Sequence, residues 1–305
     1  MTVRSSWWIA RETGMSRPTS GGGRRPRGSG ATPRPPAQLP APRKRFGQHF
    51  LHDTRVLDAI VDALGDVSQR TVVEIGPGRG ALTDRLVERA GRLVAIEVDR
   101  DLVQHLRARY SGRANVEIIE GDVLETNLAE VAGGPFVLAG NVPYYITTPI
   151  IFHALALPRP DVAVYLVQKE VADRMAAPPG DKTYGALSAN LQAFVQIELL
   201  RKVPPGSFNP PPAVDSAVVR VTPRDTVVVP PPLEARYRSF VLAAFGLRRK
   251  QLLRVVRTVG ALDAERALAV VHAAGLDPAA RPETLGPAQF SSLVQALVAS
   301  SASND

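Results

Sequence analysis

Four consecutive residues, Asn141-Val142-Pro143-Tyr144, place an amide, a proline and an aromatic ring directly after an apolar segment. That segment, Phe136-Val137-Leu138-Ala139-Gly140, predicts a buried strand because it is short, apolar and followed by turn-forming residues. An amide oxygen accepts hydrogen bonds from an amine, and an aromatic ring stacks on a planar group. The arrangement indicates chemistry on a planar amine. The alternative is a turn with a packed aromatic side chain.

A glycine-rich turn lies upstream, after a predicted strand at residues 71–75. Gly76, Gly78 and Gly80 allow the backbone to pass close to a ligand where a Cβ atom would collide with it. Glu97 follows Gly76 by 21 residues and ends the second predicted strand. This is the usual position of a carboxylate that accepts hydrogen bonds from ribose hydroxyls.

Asp122 follows the third predicted strand, where it is placed to meet an adenine amino group. Because ligands bind outside the carboxyl ends of strands in an open α/β sheet, these residues predict a nucleoside cofactor, either S-adenosylmethionine or NAD. Residues 76–81 also satisfy G-x-G-x-x-G/A with alanine in the last place, so spacing leaves NAD open. Pro77 and Glu74 favour the methyl donor. A tight turn with two solvated carboxylates is the alternative.

Strands and helices alternate along the middle of the chain, which predicts an α/β fold with a doubly wound, mostly parallel sheet. The predicted strands are residues 71–75, 93–97, 116–120, 136–140 and 162–167. The predicted helices cover residues 56–64, 81–90, 100–110 and 148–157. We expect residues 197–203 and 216–221 to form an antiparallel pair at the edge of the sheet.

Composition predicts a division into four segments. Residues 1–42 are rich in Gly, Pro, Arg and Ser and are predicted to be a disordered basic tail. We expect a catalytic domain over 43–228 and, after the proline run at 230–232, a small all-helical domain over 229–299. Residues 300–305 form a predicted disordered tail.

The net charge of +8 is unevenly distributed. Residues 1–45 contain ten of the 37 Lys and Arg residues and one of the 29 acidic residues, which leaves 27 basic and 28 acidic residues in the rest of the chain. Since the remainder has a net charge of −1, any basic surface on the folded part must come from local clustering.

Other features narrow the class of protein. The chain has no cysteine, which excludes disulfides, thiolate metal sites and cysteine nucleophiles. No apolar run reaches the roughly 18 residues that span a bilayer, so we expect no membrane partner. His105, His153 and His272 have no partners at ligand spacing, and we expect no metal. The Arg-rich, acid-poor tail is similar to an organellar transit peptide, but its prolines and glycines argue against the required helix. A nonspecific RNA-binding arm and a mis-assigned start site are the alternatives. We expect a cytoplasmic location, with a mitochondrial one as the alternative.

Several motifs together resemble the rRNA adenine N6-methyltransferase family, and within it the small-subunit dimethyladenosine transferases. The resemblance covers residues 44 to about 295. The motifs that carry it are Lys44-Arg45-Phe46-Gly47-Gln48-His49-Phe50-Leu51, Glu74–Gly80, Glu97-Val98-Asp99, Gly121-Asp122, Asn141–Ile146, Gln168–Arg174, Tyr184–Ser188, Phe208–Ser216 and Phe245–Lys250.

The resemblance implies a Rossmann-like class I methyltransferase fold and S-adenosylmethionine as the methyl donor. The implied cofactor-binding residues are His49, Leu51, Gly76, Gly78, Glu97, Asp122 and Asn141. The implied catalytic residues are Asn141, Pro143 and Tyr144. His49 occupies a place often filled by Asn, and Tyr145 stands where some relatives have Asn, which we interpret as tolerated variation.

The resemblance also implies a reaction, the N6-dimethylation of two adjacent adenosines in a hairpin loop near the 3′ end of small-subunit rRNA. The implied partner is the immature 30S subunit, and we expect a monomer. The adenine N6 lone pair is delocalised into the ring, so the Asn141 oxygen and the Pro143 carbonyl are expected to accept both N6 hydrogens and favour a pyramidal nitrogen. Tyr144 is expected to stack on the flipped base. Methylation of large-subunit rRNA, a non-catalytic RNA- or DNA-binding factor and an NAD-dependent oxidoreductase are the alternatives.

Seven basic residues and no acidic residue lie between Arg236 and Arg257, which predicts a phosphate-binding face on the helical domain. A solvated helix face is the alternative. Lys44, Arg45, Arg248, Arg249 and Lys250 are the predicted RNA-binding residues.

Overall fold

The structure of the protein is a computed structural model that describes Pro40 and residues 48–302. The predictions for the basic tail, for Lys44 and Arg45 and for residues 303–305 lie outside the described residues.

Within the described residues, nine strands form two sheets. They are β1 (Phe50–Leu51), β2 (Thr71–Ile75), β3 (Arg92–Glu97), β4 (Val116–Glu120), β5 (Phe136–Asn141), β6 (Val162–Gln168), β7 (Val195–Val203), β8 (Phe208–Asn209) and β9 (Ser216–Pro223). The large sheet has the order β4-β3-β2-β5-β6-β9-β7, and β1 pairs with β8. The first five strands of the large sheet are parallel, whereas β9 and β7 pair antiparallel at its edge. The predicted α/β sheet and its antiparallel edge are therefore confirmed.

Eleven α-helices occur in the part of the chain that the structure describes. They are α1 (Thr54–Ala63), α2 (Thr83–Leu86), α3 (Arg100–Arg109), α4 (Leu128–Ala132), α5 (Thr147–Ala154), α6 (Lys169–Ala176), α7 (Ala186–Gln192), α8 (Glu234–Gly246), α9 (Leu252–Gly260), α10 (Ala264–Ala273) and α11 (Pro287–Ala302). None of these helices is long and apolar enough to cross a bilayer.

Two helices are shorter than the sequence predicted. The helix expected over 81–90 is regular only in α2, and separate turns extend on either side of it. The helix expected over 148–157 ends at Ala154. Pro158 follows closely, and a residue that precedes proline is sterically disfavoured in helical conformation. The short helices α4, α6 and α7 were not predicted.

The two faces of the large sheet bury separate apolar cores. Val72 packs on one face with α1 residues such as Ile60. Val73 packs on the other face in a larger core that includes Ile150 of α5 and Tyr237 of α8. Adjacent strand residues point to opposite faces, and burial of both faces explains why the parallel strands are almost continuously apolar.

The four C-terminal helices pack against one another, and α8 and α11 contact α7. Their side chains belong to the same core as β2 and β5, and two buried tyrosines join them to the segment that contains α7. Tyr184 Oη donates to the Leu285 carbonyl at 2.9 Å, and Tyr237 Oη donates to the Ala189 carbonyl at 2.9 Å. The predicted boundary between a catalytic domain that ends at residue 228 and a helical domain that begins at residue 229 stays a prediction.

Candidate active site

The carboxyl ends of the parallel strands converge on one cleft. Ile75 of β2 lies in register with Ile96 of β3 and with Gly140 of β5, so the residues that follow these strands are neighbours in space. The cleft has a volume of about 200 Å³. It brings together most of the predicted site residues, namely His49, Gly76, Gly78, Glu97, Asp122, Asn141, Pro143 and Tyr144.

The glycine turn lines one side of the cleft with main-chain atoms. Gly76 and Gly78 have positive φ angles of 65° and 58°, which side chains of L-residues rarely adopt. A Cβ atom at Gly78 would lie 3.1 Å from the Phe50 ring, and one at Gly76 would lie 3.7 Å from the Asn141 carbonyl oxygen. Larger residues would fill the space that a ligand needs here.

Glu97 lies at the end of β3 with its side chain almost fully buried. Its Oε2 accepts a hydrogen bond from the Gly78 N–H at 3.1 Å, and its Oε1 accepts one from the Asp99 N–H at 2.9 Å. Burial raises the pKa of the Glu97 carboxyl, and these two N–H groups oppose the rise. The carboxyl group is thus fixed against the glycine turn with lone pairs that can accept further hydrogen bonds.

Asp122 follows β4 and lies at the exposed rim of the cleft. Its Oδ1 accepts from the Leu124 N–H at 2.9 Å, which holds the side chain in one orientation. A buried carboxyl, an exposed carboxylate and a backbone wall fit the hydroxyl and amino groups of a nucleoside.

Asn141 is the last residue of β5, and its amide group is fixed by the polypeptide. Its Nδ2 donates to the main-chain carbonyl of His49 at 2.9 Å. The amide oxygen lies on the opposite side of the group and remains an acceptor for an amine in the cleft.

The Pro143 carbonyl oxygen already has two donors. The Ile146 N–H donates to it at 3.2 Å, and the Thr147 hydroxyl donates at 3.0 Å. A carbonyl oxygen has two lone pairs, so an amine hydrogen at this oxygen would displace or share one of these bonds. The predicted acceptor role of Pro143 stays a prediction.

Tyr144 is held at both ends of its side chain. Its ring stacks on His49 with centroids 5.7 Å apart and planes inclined by 26°, and its hydroxyl lies 2.5 Å from Ser216 Oγ. Burial raises the pKa of Tyr144. His49 Nδ1 donates to the Pro210 carbonyl at 2.8 Å, since a carbonyl can only accept.

Leu51 lies in β1 and lines an adjoining cleft of about 400 Å³, which shares Gly76, Gly78 and Asn141 with the first. Glu74 also lines this second cleft and was not predicted as a site residue. Its Oε2 has no hydrogen-bond partner among the described residues. Burial raises the pKa of Glu74 to about 8, and the neighbouring carboxylates Glu97 and Asp84 add to the rise.

The predicted RNA-binding residues divide into two groups. Arg248 Nε pairs with Glu283 Oε2 at 2.7 Å and its Nη2 donates to the Lys182 carbonyl, so this guanidinium group is used within the protein. Arg249 and Lys250 are exposed. Their side chains have no ion pair or hydrogen bond with any residue that the structure describes.

A parallel sheet with a glycine turn after β2, a carboxyl group at the end of β3 and an amide at the end of β5 defines a Rossmann-like class I methyltransferase. The sequence profile of the ribosomal RNA adenine dimethylase family matches residues 41–298. The chain belongs to this family, and the resemblance seen in its motifs is confirmed.

Curated relatives are similar over most of their length. The chain is 44% identical to the ribosomal RNA small subunit methyltransferase A of Koribacter versatilis, covering 81% of this chain and 91% of that protein. It is 45% identical to the protein of the same name from Leptothrix cholodnii, covering 84% and 92%.

Two solved structures have a similar fold. The crystal structure of a dimethyladenosine transferase from Plasmodium falciparum has a TM-score of 0.72 at 27% identity, covering 83% of this chain and 98% of that one. The crystal structure of the 23S rRNA methyltransferase ErmE has a TM-score of 0.64 at 27% identity, covering 82% and 99%.

Several residues of the cleft were missed by the sequence reasoning. Gln48, Phe50 and Val98 line it, and all three stand inside motifs that pointed to the site. Ser216 holds the Tyr144 hydroxyl and is the last residue of the motif Phe208–Ser216, but nothing in the sequence connected it with Tyr144, 72 residues earlier. No group of three or more potential metal ligands occurs among the described residues, and the absence of a metal stays a prediction.

Proposed function

We propose that this chain transfers methyl groups from S-adenosylmethionine to the N6 atoms of two adjacent adenosines in a hairpin loop near the 3′ end of small-subunit rRNA. The observation that carries the proposal is the position of Asn141. Its fixed amide stands at the end of β5 and lines the same cleft as the glycine turn and Tyr144.

The cofactor assignment rests on the fit of the cleft. The positive-φ backbone at Gly76 and Gly78 leaves room that a Cβ atom would fill. Glu97 is oriented to accept from ribose hydroxyls and Asp122 from the adenine amino group, while His49 and Leu51 line the two connected clefts. When bound, S-adenosylmethionine supplies an electrophilic methyl group attached to a sulfonium.

Asn141 and Tyr144 have complementary roles toward the adenine. The Asn141 oxygen accepts a hydrogen bond from N6, which localises the nitrogen lone pair, and Tyr144 stacks on the base. The Pro143 carbonyl is a second acceptor once it exchanges one of its present donors. Catalysis then consists of positioning and electrostatic stabilisation, and no strong general base is needed.

The small ribosomal subunit is favoured over the large one as the substrate. The curated relatives at 44% and 45% identity are named for the small subunit. The structural relative named for 23S rRNA has 27% identity. A non-catalytic RNA- or DNA-binding factor is disfavoured because Asn141 and Tyr144 are both held in the cleft by hydrogen bonds.

The rRNA-binding surface is inferred from the distribution of paired and unpaired cations. Elsewhere on the protein, many exposed arginines pair with acids, as Arg89 does with Asp62 and Arg113 with Glu88. Five exposed cationic side chains between Arg236 and Arg257 have no ion pair with any residue within the described part of the chain. They are Arg236, Arg249, Lys250, Arg254 and Arg257.

Unpaired cations keep their charge available for phosphates, so this surface fits an RNA backbone. Lys44 and Arg45, outside the described residues, are also proposed to bind RNA. We further propose a cytoplasmic monomer that acts on the immature 30S subunit. The mitochondrial alternative rests only on the arginine-rich composition of the tail.

The decisive experiment compares the protein with its Asn141→Ala variant on immature 30S subunits. Labelled methyl transfer is measured, and the methylated nucleotides are mapped by primer extension. We expect the wild-type protein to modify two adjacent adenosines and the variant to lose most activity while it still binds S-adenosylmethionine. Unchanged methyl transfer by a variant that binds the cofactor would refute the proposal, as would methylation confined to large-subunit RNA.

A further inference from the structure

Tyr145 is a prominent exposed aromatic group at the mouth of the cleft. Its side chain is 58% exposed, and it is the only aromatic residue among the large exposed hydrophobic residues of the described chain. It lines the same cleft as Asn141 and Tyr144. Its hydroxyl has no hydrogen bond to any described residue.

The local backbone separates Tyr145 from Tyr144. The two residues begin a 3-10 turn over Tyr144–Ile146, in which successive side chains are rotated by about 120°. Tyr144 is directed inward, where His49 and Ser216 hold it. Tyr145 is therefore directed outward, at the entrance that a polynucleotide has to cross.

We propose that Tyr145 stacks on the nucleotide next to the adenosine that occupies the catalytic site. The inference rests on the proposed function, because it assumes a single-stranded RNA loop with one base inserted in the cleft. In the substrate proposed above, that neighbouring nucleotide is the second target adenosine.

Base insertion explains why a stacking group is needed at this place. When one base leaves the loop, its neighbour loses a stacking partner, and that loss opposes insertion. An exposed aromatic ring replaces the missing partner without requiring a specific sequence, since every base has a π-face. Tyr144 and Tyr145 thus serve consecutive nucleotides, the first inside the cleft and the second at its edge.

The stacking role of Tyr145 predicts that loss of its ring changes the KM for the substrate more than kcat. Stacking holds the neighbouring base before and during transfer, so its loss weakens substrate binding more than the chemical step. Loss of one base–aromatic stack by alanine substitution corresponds to a reduction in affinity of roughly 5-fold to 140-fold.

The test uses the full chain and immature 30S subunits, with Tyr145→Ala, Tyr145→Phe and Tyr145→Asn variants. We expect Tyr145→Ala and Tyr145→Asn to raise the KM for 30S at least fivefold, while kcat and the S-adenosylmethionine Kd stay within about twofold. Tyr145→Phe, which keeps the ring, should behave as the wild-type protein. Val227→Ala, at a 76% exposed position outside the cleft, is the matched control for loss of an exposed apolar side chain.

Three results would overturn the inference. A KM for Tyr145→Ala within twofold of wild type would show that the ring does not bind the substrate. A Tyr145→Phe variant as impaired as Tyr145→Ala would assign the effect to the hydroxyl. If the wild-type protein methylates no adenosine in 30S, the proposed function itself fails, whereas the first two results leave that function intact.

Discussion

The Asn141 amide donates to the main-chain carbonyl of His49 at 2.9 Å, which joins the end of β5 to a segment 92 residues earlier. The His49 ring also stacks on Tyr144, and its Nδ1 donates to the Pro210 carbonyl. One residue thus contacts both side chains proposed to hold the adenine. His49 is a positioning residue for the two of them.

Replacement of His49 is expected to lower kcat with a smaller effect on cofactor affinity. In His49→Ala the main-chain hydrogen bond to Asn141 remains, but the ring stack on Tyr144 and the bond to Pro210 are removed. A hydrogen bond and an aromatic pair each contribute about 1 kcal/mol, so kcat should fall about 30-fold if both act fully in the transition state.

Two further variants separate the contributions of the ring and the hydrogen bond. His49→Phe retains the ring and His49→Asn retains a donor for Pro210, so each should recover part of the missing rate. Steady-state methyl transfer and calorimetric binding of S-adenosylmethionine provide the measurements. A His49→Ala variant with wild-type kcat would contradict the positioning role.

The sequence predicted the strands better than the contacts between them. β2 and β4 have the bounds expected from the sequence. β2 is almost entirely buried between the two cores, whereas β4 lies at the edge of the sheet and is only partly buried. The site residues at their carboxyl ends followed from the parallel topology. The contact between Asn141 and His49 did not follow, since it depends on how a segment without regular structure folds over the sheet.

The basic segment between Arg236 and Arg257 shows that the pairing of charged side chains was equally hard to predict from the sequence. Arg248 and Arg249 are adjacent in the sequence and chemically identical. The structure pairs Arg248 with Glu283, 35 residues further along the chain, and leaves Arg249 exposed. The pairing of a cation depends on tertiary structure, so a run of basic residues predicts a charged region but not which of its members are available to RNA.

Gly78→Ala is expected to weaken cofactor binding. The substitution places a Cβ atom 3.1 Å from the Phe50 ring and forces an alanine into positive φ. Movement of Phe50 would also disturb Arg79, whose guanidinium lies 4.3 Å from the ring centroid. Positive φ alone costs about 1–2 kcal/mol of stability.

The matched control for this variant is Gly65→Ala. Gly65 has a φ of 77°, but a Cβ atom there meets nothing within 4 Å. Both variants should lower the melting temperature, whereas only Gly78→Ala should raise the Kd for S-adenosylmethionine. The Kd for S-adenosylmethionine is measured by calorimetric titration. Equal Kd values for the two variants would show that the turn does not contact the cofactor.

Glu74 is expected to make stability depend on pH. Burial raises the pKa of its carboxyl from 4.5 to about 8 in the folded protein. Below pH 4.5 both the folded and unfolded states are protonated, and the contribution is fully present. Between pH 4.5 and 8 the unfolded state ionises first, so stability is lost as the pH rises, with a slope of up to about 1.4 kcal/mol per pH unit.

Glu74→Gln removes this titration. The free energy of unfolding of the variant, measured by urea denaturation without cofactor, should rise relative to wild type between pH 4.5 and 8 and then stay level. Glu125→Gln, at an exposed position, should show no such trend. A constant difference between Glu74→Gln and wild type over this range would mean that Glu74 is ionised in the folded protein.

The unpaired cations of α9 are expected to bind rRNA phosphates. Arg254 and Arg257 are exposed on this helix, three residues apart, so they lie on one face. The double variant Arg254→Gln/Arg257→Gln should raise the KM for 30S. It should also reduce the slope of log KM against log salt by about 1 for each phosphate that the variant no longer binds.

The control removes the same charge from a surface where the cations are paired. Arg89→Gln/Arg113→Gln eliminates two exposed arginines that pair with Asp62 and Glu88. Surface ion pairs contribute about 1 kcal/mol or less, so stability should change little, and the salt slope should stay close to wild type. Because both double variants lower the net charge by two, a nonspecific effect of charge would change both slopes equally. Only a difference between the two slopes supports a binding face on α9.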